Sequence, residues 1–549
     1  MAKSRPDLLK YYRLGGQEIA IISVYGVLIG FLSLSIPIAV QSLVNSVAFG
    51  SVLLPVFILS LMVFLGLGFS GALKLAQRKV VEWITIKVFF RTTIALGRHL
   101  PSLKEEALDT TYDRTYFSRY LELFSVQKNL SGLLVDLLDF TLIVGSGMLI
   151  VALYHPAFLV FDILLVFSLF FVVRVVGKDG INTKLDESES KYDLATWMMS
   201  LSRPAVALRG LNGIELAQER TQSLADSFIQ TRAKHFKVLF RQQAGFLLIS
   251  VLSSTALLGA GGVLVFNNQL SLGQLVAAEI ILAGVLASIG KLDKIMENYF
   301  GIVASIDKLE SLFAIPAETI NESGHFPGKL SGKIDLQGIN YRYPGGSELW
   351  SPIHHSIVPG SKVAIMGPSG SGKSTLLELI YGLRNASEGQ LLFDDLNSKD
   401  LHLKRLRDHI GFTSIFQVIP GTLLANIELG RNVDFPHLTS LVRDLALEDS
   451  VSALPNGYQT ELEPVALPFS VGQKARFSLL RALVHSPEIL IIDESLDQID
   501  PELQDRVWEV IRMRMTGKTV LIATHDERIM KKCDHMIELK RSKNAGVES

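Results

Sequence analysis

A chain of 549 residues is longer than one domain of ordinary size. Its formal net charge of −1 leaves no basic field for nucleic acid, and its single cysteine, Cys533, excludes an internal disulfide and fits a reducing compartment. A mean hydropathy of +0.33 beside 19% charged residues concentrates the apolar content in one region. Met1 to Arg13 is polar and basic, and the apolar run after it is too long for the core of a cleavable signal peptide.

Six apolar stretches precede residue 300, near 19–44, 52–73, 130–153, 157–175, 243–265 and 275–290. A helix crosses a bilayer core with about 20 residues, in a range of about 17–25. The fourth and sixth stretches are marginal alone, but each follows a short loop from its predecessor, as a hairpin return does. Buried soluble helices are the competing reading of any one stretch and a poor one for six together. Asn45–Ser51, Tyr154–Pro156 and Phe266–Gly273 carry no Lys or Arg. The long connections, near 74–129 and 176–242, and their edges carry Lys74, Arg78, Lys79, Arg91, Arg98, Arg174, Lys178, Arg232, Lys234 and Arg241. The positive-inside rule therefore expects both long connections and both termini in the cytoplasm of a multi-pass protein.

Apolar periodicity continues past the second stretch through Val80, Val81, Trp83, Ile84, Val88 and Phe89, with Pro55 the only proline between Val52 and Leu100. A helix of about 48 residues would be about 70 Å long and would run well into the cytoplasm. The stretch 182–241 reads as a comparable pair of legs, so two deep cytoplasmic hairpins are expected, with turns near Thr111–Leu121 and Leu201–Gly213 as candidates for contact with the carboxy-terminal part. Gln41, Asp136, Asp139, Asp162 and Glu279 fall within or near the spans. Charge in lipid is costly, so these residues belong in a cavity, a helix contact or the interface. No His/Cys cluster has metal-ligand spacing.

Pro316, Gly324, Pro327, Gly328 and Gly332 mark a linker over 316–332. Lys333 to Tyr343 then alternates as a strand, and strands and helices alternate onward as in an α/β domain. Gly367-Pro-Ser-Gly-Ser-Gly-Lys-Ser-Thr375 fits the pattern of a phosphate-cradling loop. It sits between a buried strand, Val363–Met366, and an apolar helix start, Ser374–Ile380. Backbone N–H groups and a helix amino terminus make an anion site there; Gly367, Ser369, Gly370, Gly372 and Thr375 form the cradle, Lys373 reaches the outer phosphates and Ser374 can ligate a divalent cation. A flexible Gly-Ser turn is the competing reading, and the flanks oppose it.

Ile489 to Glu494 is an apolar strand ending in two carboxylates. Asp493 can hold a cation shell and Glu494 can deprotonate an attacking water. Thr519 to His525 is a second such strand, ending in a histidine able to sense a terminal phosphate. Tyr343 at a strand end can stack on a base or sit in the core. Ser470, Gly472 and Gln473 open an apparent helix, Lys474–Leu483, as a second phosphate face or as a plain helix cap.

Taken in order, Tyr343, the phosphate loop, Phe469-Ser-Val-Gly-Gln473, Asp493-Glu494, Asp500 and His525 resemble the ATP-binding cassette (ABC) transporter family. The segments Gly421–Ile427 and Leu454–Thr460 resemble its exporters too, and six spans before one cassette look like an exporter half-transporter, loosely similar to peptide and bacteriocin exporters. A peptidase domain, present at the amino terminus of some of those members, is not expected with about 18 residues ahead of the first span. The resemblance implies ATP and Mg²⁺ as ligands, Ser374 and Asp493 at the metal, and Glu494, His525 and Lys373 as catalytic groups. It implies a dimer, with a second copy or a related half-transporter, in which each ATP lies between the phosphate loop of one chain and Ser470–Gln473 of the other, with Asp500 at the same interface.

Three departures stand against the family pattern. The glutamine expected after Ile410-Gly-Phe-Thr413 falls on Ser414 or Ile415, with Gln417 two or three residues late. Val471 replaces a glycine of the signature, and the small residues between Glu494 and Asp500 differ. The expected organisation is a multi-domain chain: an all-α six-helix transmembrane domain over 1–315, a linker over 316–332, an α/β P-loop NTPase cassette over 333–541 and a disordered tail over 542–549. The expected function is ATP-driven export of a peptide or protein across a bilayer, the bacterial inner membrane above others. The alternatives are a lipid or amphipathic drug exporter and a non-pumping regulator; nucleic acid is not an expected partner.

Overall fold

The computed structural model describes residues 16–48, 54–109, 114–201, 208–210, 212–318, 321, 324–464 and 467–540. The chain divides into two compact units. The first holds the described residues up to Ser102 and from 114 to Pro316; the second holds Leu103 to Asp109 and the residues from Ala317 onward.

The first unit is all helix: α1 (Gly16–Ser33), α2 (Ser35–Ala48), α3 (Leu54–His99), α4 (Glu122–Tyr154), α5 (Pro156–Phe171), α6 (Gly180–Ser200), α7 (Gly213–Phe266), α8 (Leu272–Ile289) and α9 (Leu292–Phe313). Six stretches are long and apolar enough to cross a membrane: Gly16–Ser46, Val56–Ser102, Tyr116–Tyr154, Pro156–Val176, Gly213–Phe266 and Leu272–Phe313. Five of them contain a stretch read from the sequence, and the second, beginning at Val56, overlaps the stretch read over 52–73. Their apolar faces point outward, with Phe57 and Phe64 each 73% exposed and Leu153 76%. Water rejects such a surface and a bilayer accepts it, so the chain is a multi-pass membrane protein.

Local breaks have local causes. The first span is interrupted at Leu34 because Pro37 lacks an N–H and its ring excludes an unbroken helix over the preceding turn. Pro156 opens α5 at its first turn, where His155 Nδ1 accepts the Ala157 N–H. A capping box of Ser271 and Gln274 starts α8. Gln41 accepts the Tyr154 hydroxyl at 2.7 Å, and Asp136 pairs with Lys294 at 2.8 Å. Asp162 is buried, while Asp139 and Glu279 are half-buried. At its 46 residues, α3 is about 69 Å long. The turn expected near Thr111–Leu121 contains a 3₁₀ stretch, Arg114–Leu121, that belongs to this unit. Residues 202–207 and 211 of the other expected turn lie outside the described residues.

The second unit carries eleven strands among the described residues: β1 (Ile334–Asn340), β2 (Ile353–Ile357), β3 (Lys362–Met366), β4 (Glu388–Phe393), β5 (Leu396–Asn397), β6 (Ile410–Thr413), β7 (Gly421–Thr422), β8 (Glu461–Leu462), β9 (Ile489–Asp493), β10 (Thr519–Ala523) and β11 (His535–Glu538). A parallel sheet runs β11-β3-β10-β9-β6, an antiparallel sheet runs β2-β1-β4-β5, and β7 pairs with β8. The main helices are α10 (Lys373–Tyr381), α11 (Val471–Leu483) and α12 (Pro501–Arg514). Ile491, Ile492, Leu521 and Ile522 are wholly buried, as a parallel sheet covered on both faces requires.

Two stretches outside the strand-and-helix alternation pack on this unit. The acidic turn Glu105–Leu108 is held by Arg384, which donates to Asp109 Oδ2 at 2.5 Å, Glu378 Oε2 at 2.6 Å and the Tyr341 hydroxyl at 3.1 Å. Burial works against the Arg384 charge, yet these acceptors hold its pKa above the usual arginine value. Within the stretch read as linker, Glu318 pairs with Arg407 at 2.7 Å, His325 bridges Leu401 and Leu330 is buried. The expected tail, 542–549, lies outside the described residues.

Candidate functional site

The parallel sheet puts three strand ends side by side. In register, Ala523 of β10 stands opposite Ile365 of β3 and Asp493 of β9. The phosphate loop, the Asp493-Glu494 pair and Thr524-His525 therefore leave the sheet at one edge, where open α/β sheets bind ligands.

The loop needs its glycines. Gly367, Gly370 and Gly372 have φ of 155°, 71° and 88°, in a region that side chains rarely enter. A Cβ on Gly372 would lie 2.4 Å from Leu349 Cδ2 and 2.7 Å from Trp350 Cζ2. Trp350 Nε1 donates to the Ser371 carbonyl at 2.5 Å, fixing the loop from below. Ser369 is exposed, and α10 begins at Lys373 with its first N–H groups at the loop.

Lys373 is 4% exposed and donates to the Gly367 carbonyl at 3.2 Å. Its Nζ also lies 3.0 Å from His525 Nε2 and 3.3 Å from Glu494 Oε1, and His525 Nε2 is 3.2 Å from that same oxygen. Glu494 adopts φ of 48°, unusual outside glycine, with its N–H on the Ala523 carbonyl at 3.0 Å. Ser374 Oγ donates to Asp493 Oδ1 at 2.9 Å. Burial pushes Asp493 up to about 6; the Ser374 hydrogen bond opposes this, and the charges of Glu494 and Glu378 add to it. Among the described residues, no group of three or more His, Cys, Asp or Glu is placed to hold a metal. A cation here would instead take a hydroxyl and a carboxylate from the protein and complete its shell with phosphate oxygens and water, as Mg²⁺ does.

Tyr343 is half-buried, edge-on to Tyr341, and its hydroxyl lies 2.8 Å from Thr375 Oγ1. Ser470, Gly472 and Gln473 sit apart at the start of α11. Ser470 Oγ accepts the Gln473 N–H at 3.2 Å and Gln473 Oε1 accepts the Ser470 N–H at 2.7 Å, a full capping box. Gln473 Nε2 donates to Ser450 Oγ at 2.9 Å. Asp500 is exposed at the start of α12 and makes no side-chain cap bond. Ile415, one of two positions where the family's glutamine falls, is 71% exposed, and Gln417 is exposed as well. A cavity of about 340 Å³ in this unit lies elsewhere, against Leu336, Leu376, Leu391 and Phe393, so chemistry and not volume marks the site.

Sequence reasoning missed the bonds that hold these groups in place. Ser495 Oγ accepts from Thr413 Oγ1 at 3.2 Å and reaches the Ser414 carbonyl at 3.4 Å, tying the end of β6 to the loop after Glu494. Asp497 binds Thr524 and His525. No motif carries either contact; only strand register does.

Fold and site together define a P-loop nucleotide-binding cassette joined to a six-helix membrane domain. The profile of the family described as "ABC transporter" matches residues 350–497. The chain is 25% identical over 465 residues to the lactococcin-G-processing and transport ATP-binding protein LagD of Lactococcus lactis subsp. lactis, covering 81% of this chain and 64% of LagD. It is 26% identical to the mycobactin import ATP-binding/permease protein IrtB of Mycolicibacterium smegmatis, over 76% of this chain and 73% of that protein. The chain spans less than two thirds of the length of the first relatives it matches, 64% of LagD and 56% of YwjA of Bacillus subtilis. The structure of a bacterial Atm1-family ABC exporter with ATP bound superposes with a TM-score of 0.83 at 19% identity, covering 95% of this chain and 93% of that one, which shows a shared fold.

Proposed function

We propose that this chain is one half of a dimeric, ATP-driven membrane exporter that moves a peptide or protein. The observation that carries this reading is the meeting of Lys373, Glu494 and His525 within 3.3 Å beside a glycine cradle, on a chain that also has six membrane-length helices. ATP would lie along Gly367–Thr375 with adenine against Tyr343. Ser374 and Asp493 would hold Mg²⁺, whose chemistry is to offset charge on the phosphates. Glu494 takes a proton from the attacking water, while Lys373 and His525 stabilise charge on the transferring phosphoryl group. Ser470, Gly472, Gln473 and Asp500 would face the ATP held by a second copy or a related half-transporter. Closure of the paired cassettes would drive the helices, and hydrolysis would reset them.

LagD, named for lactococcin-G processing and transport, supports a peptide or protein cargo. The basic long connections support placing both termini in the cytoplasm, and the membrane proposed is the cell membrane, the bacterial inner membrane above others. Mg²⁺-ATP hydrolysis by the chain in lipid nanodiscs tests the reading, followed by stimulation with candidate peptides beside lipids. Turnover stimulated by lipid alone would reverse the cargo assignment, and ATP binding without turnover would favour a regulator.

A further inference from the structure

We propose that Asp497 is the positioning residue for His525. Its carboxylate anchors the backbone just past β10, so that the imidazole presents Nε2 to Lys373 and Glu494. The kinetic consequence rests on the hydrolytic role proposed above; the anchoring itself does not.

The parallel ladder ends at Ala523, the last β10 residue paired with β3 and β9. Beyond it the backbone needs other partners, since an N–H without an acceptor is costly. Asp497 Oδ2 accepts the His525 N–H at 2.8 Å, and Oδ1 accepts the Thr524 hydroxyl. Thr524 is wholly buried, and its Oγ1 in turn accepts the Asp526 N–H at 3.0 Å. One carboxylate thus fixes two successive residues and, through Thr524, a third. Bonds from neutral donors to an ionised acceptor are the stronger kind.

The His525 ring has little else to fix it. Its side chain is 50% exposed, so packing does not set its direction, and its Nε2 contacts are to Lys373 and Glu494. Asp497 lies on the short 3₁₀ turn Leu496–Gln498, three residues after Glu494, whose own N–H is bound to Ala523. A single loop therefore carries both the Glu494 side chain and the group that locates His525. The separation of those two side chains is set by this loop and not by the sheet alone.

The test uses the full chain in nanodiscs. Asp497→Ala is expected to lower kcat for ATP about tenfold, the scale of one charge-assisted hydrogen bond, with KM changed less than about twofold. Asp497→Asn keeps an acceptor for the His525 N–H and is expected within about threefold of the parent kcat. A positioning group acts through its partner, so adding Asp497→Ala to His525→Ala should slow turnover no further. Hydrogen–deuterium exchange at the His525 amide is expected to quicken in Asp497→Ala and to stay slow in Asp497→Asn. Additive losses in the double variant, or unchanged amide exchange in a folded Asp497→Ala, overturn the proposal. If the parent chain turns over no ATP, the hydrolytic reading fails while the exchange comparison still decides whether Asp497 anchors His525.

Discussion

At the phosphate loop, Lys373, Glu494 and His525 meet one another, and Ser374 meets Asp493, all within 3.3 Å. At the start of α11, Ser470 and Gln473 bind each other and Gln473 also binds Ser450, while Val471 is 62% exposed. One end brings together the groups that the proposed reading assigns to gripping a phosphate and activating a water. The other brings a capped helix start whose outward face touches no phosphate-loop residue. In the proposed dimer such an asymmetry is expected, and the comparison separates what a lone chain would do from what would need a second chain.

The sharpest way to break the comparison is Glu494→Gln. The amide cannot take a proton, so turnover should fall by about 10²–10⁴, the usual worth of a positioned general base. The Lys373 and cradle contacts remain, so ATP affinity should stay within about threefold, read by fluorescent-nucleotide titration. Turnover reduced only by half would move the base elsewhere.

Gly372→Ala tests the cradle itself. Its φ of 88° and the approach of Leu349 and Trp350 leave no room for a Cβ. The cost should be about 2–3 kcal/mol, a large single-site effect, read as a lower Tm of the second unit together with weakened ATP binding. An unchanged Tm would show that the loop rearranges freely.

The six spans and the phosphate loop were legible because each is written in contiguous residues. Lipid-facing helices have to be apolar along their length, and a cradle has to have glycine at fixed spacing. The break at Leu34 followed from Pro37 but was hidden inside an unbroken apolar run. The packing of the acidic turn at 105–108 and of the stretch after Ala317 is not written in contiguous residues: Arg384 and Arg407 draw Asp109 and Glu318 onto the second unit across long separations in sequence. Asp497 was invisible for the same reason, since its partners Thr524 and His525 are reached only through the register of β9 with β10.

The phosphate-loop end also carries a pH signature. Asp493 is raised to about 6 chiefly by burial, so below that pH the free protein holds a proton there. A cation needs the carboxylate ionised, and the proton has to leave first. Mg²⁺-dependent ATP affinity should therefore be flat above pH 7 and fall about tenfold between pH 7 and pH 5. Asp493→Asn should bind more weakly throughout and lose that slope. A parent chain with no slope over this range would remove Asp493 from the metal.

Ser470→Ala has the smallest expected effect on one chain and says the most about two. Removing the cap acceptor leaves the Gln473 N–H without its partner, which should cost about 1 kcal/mol of stability. If α11 only starts a helix, turnover and ATP-dependent dimer formation should change no more than that loss of stability implies. If its N–H groups and Ser470 complete the ATP site of a second copy, both should fall by about tenfold or more at a temperature where the variant is fully folded, since a charge-assisted contact to phosphate is lost as well. Measuring melting, sedimentation with ATP and turnover on the same preparation separates the two. Equal and slight changes in all three would leave the start of α11 as a cap alone and would send the search for the second face of the site to Asp500.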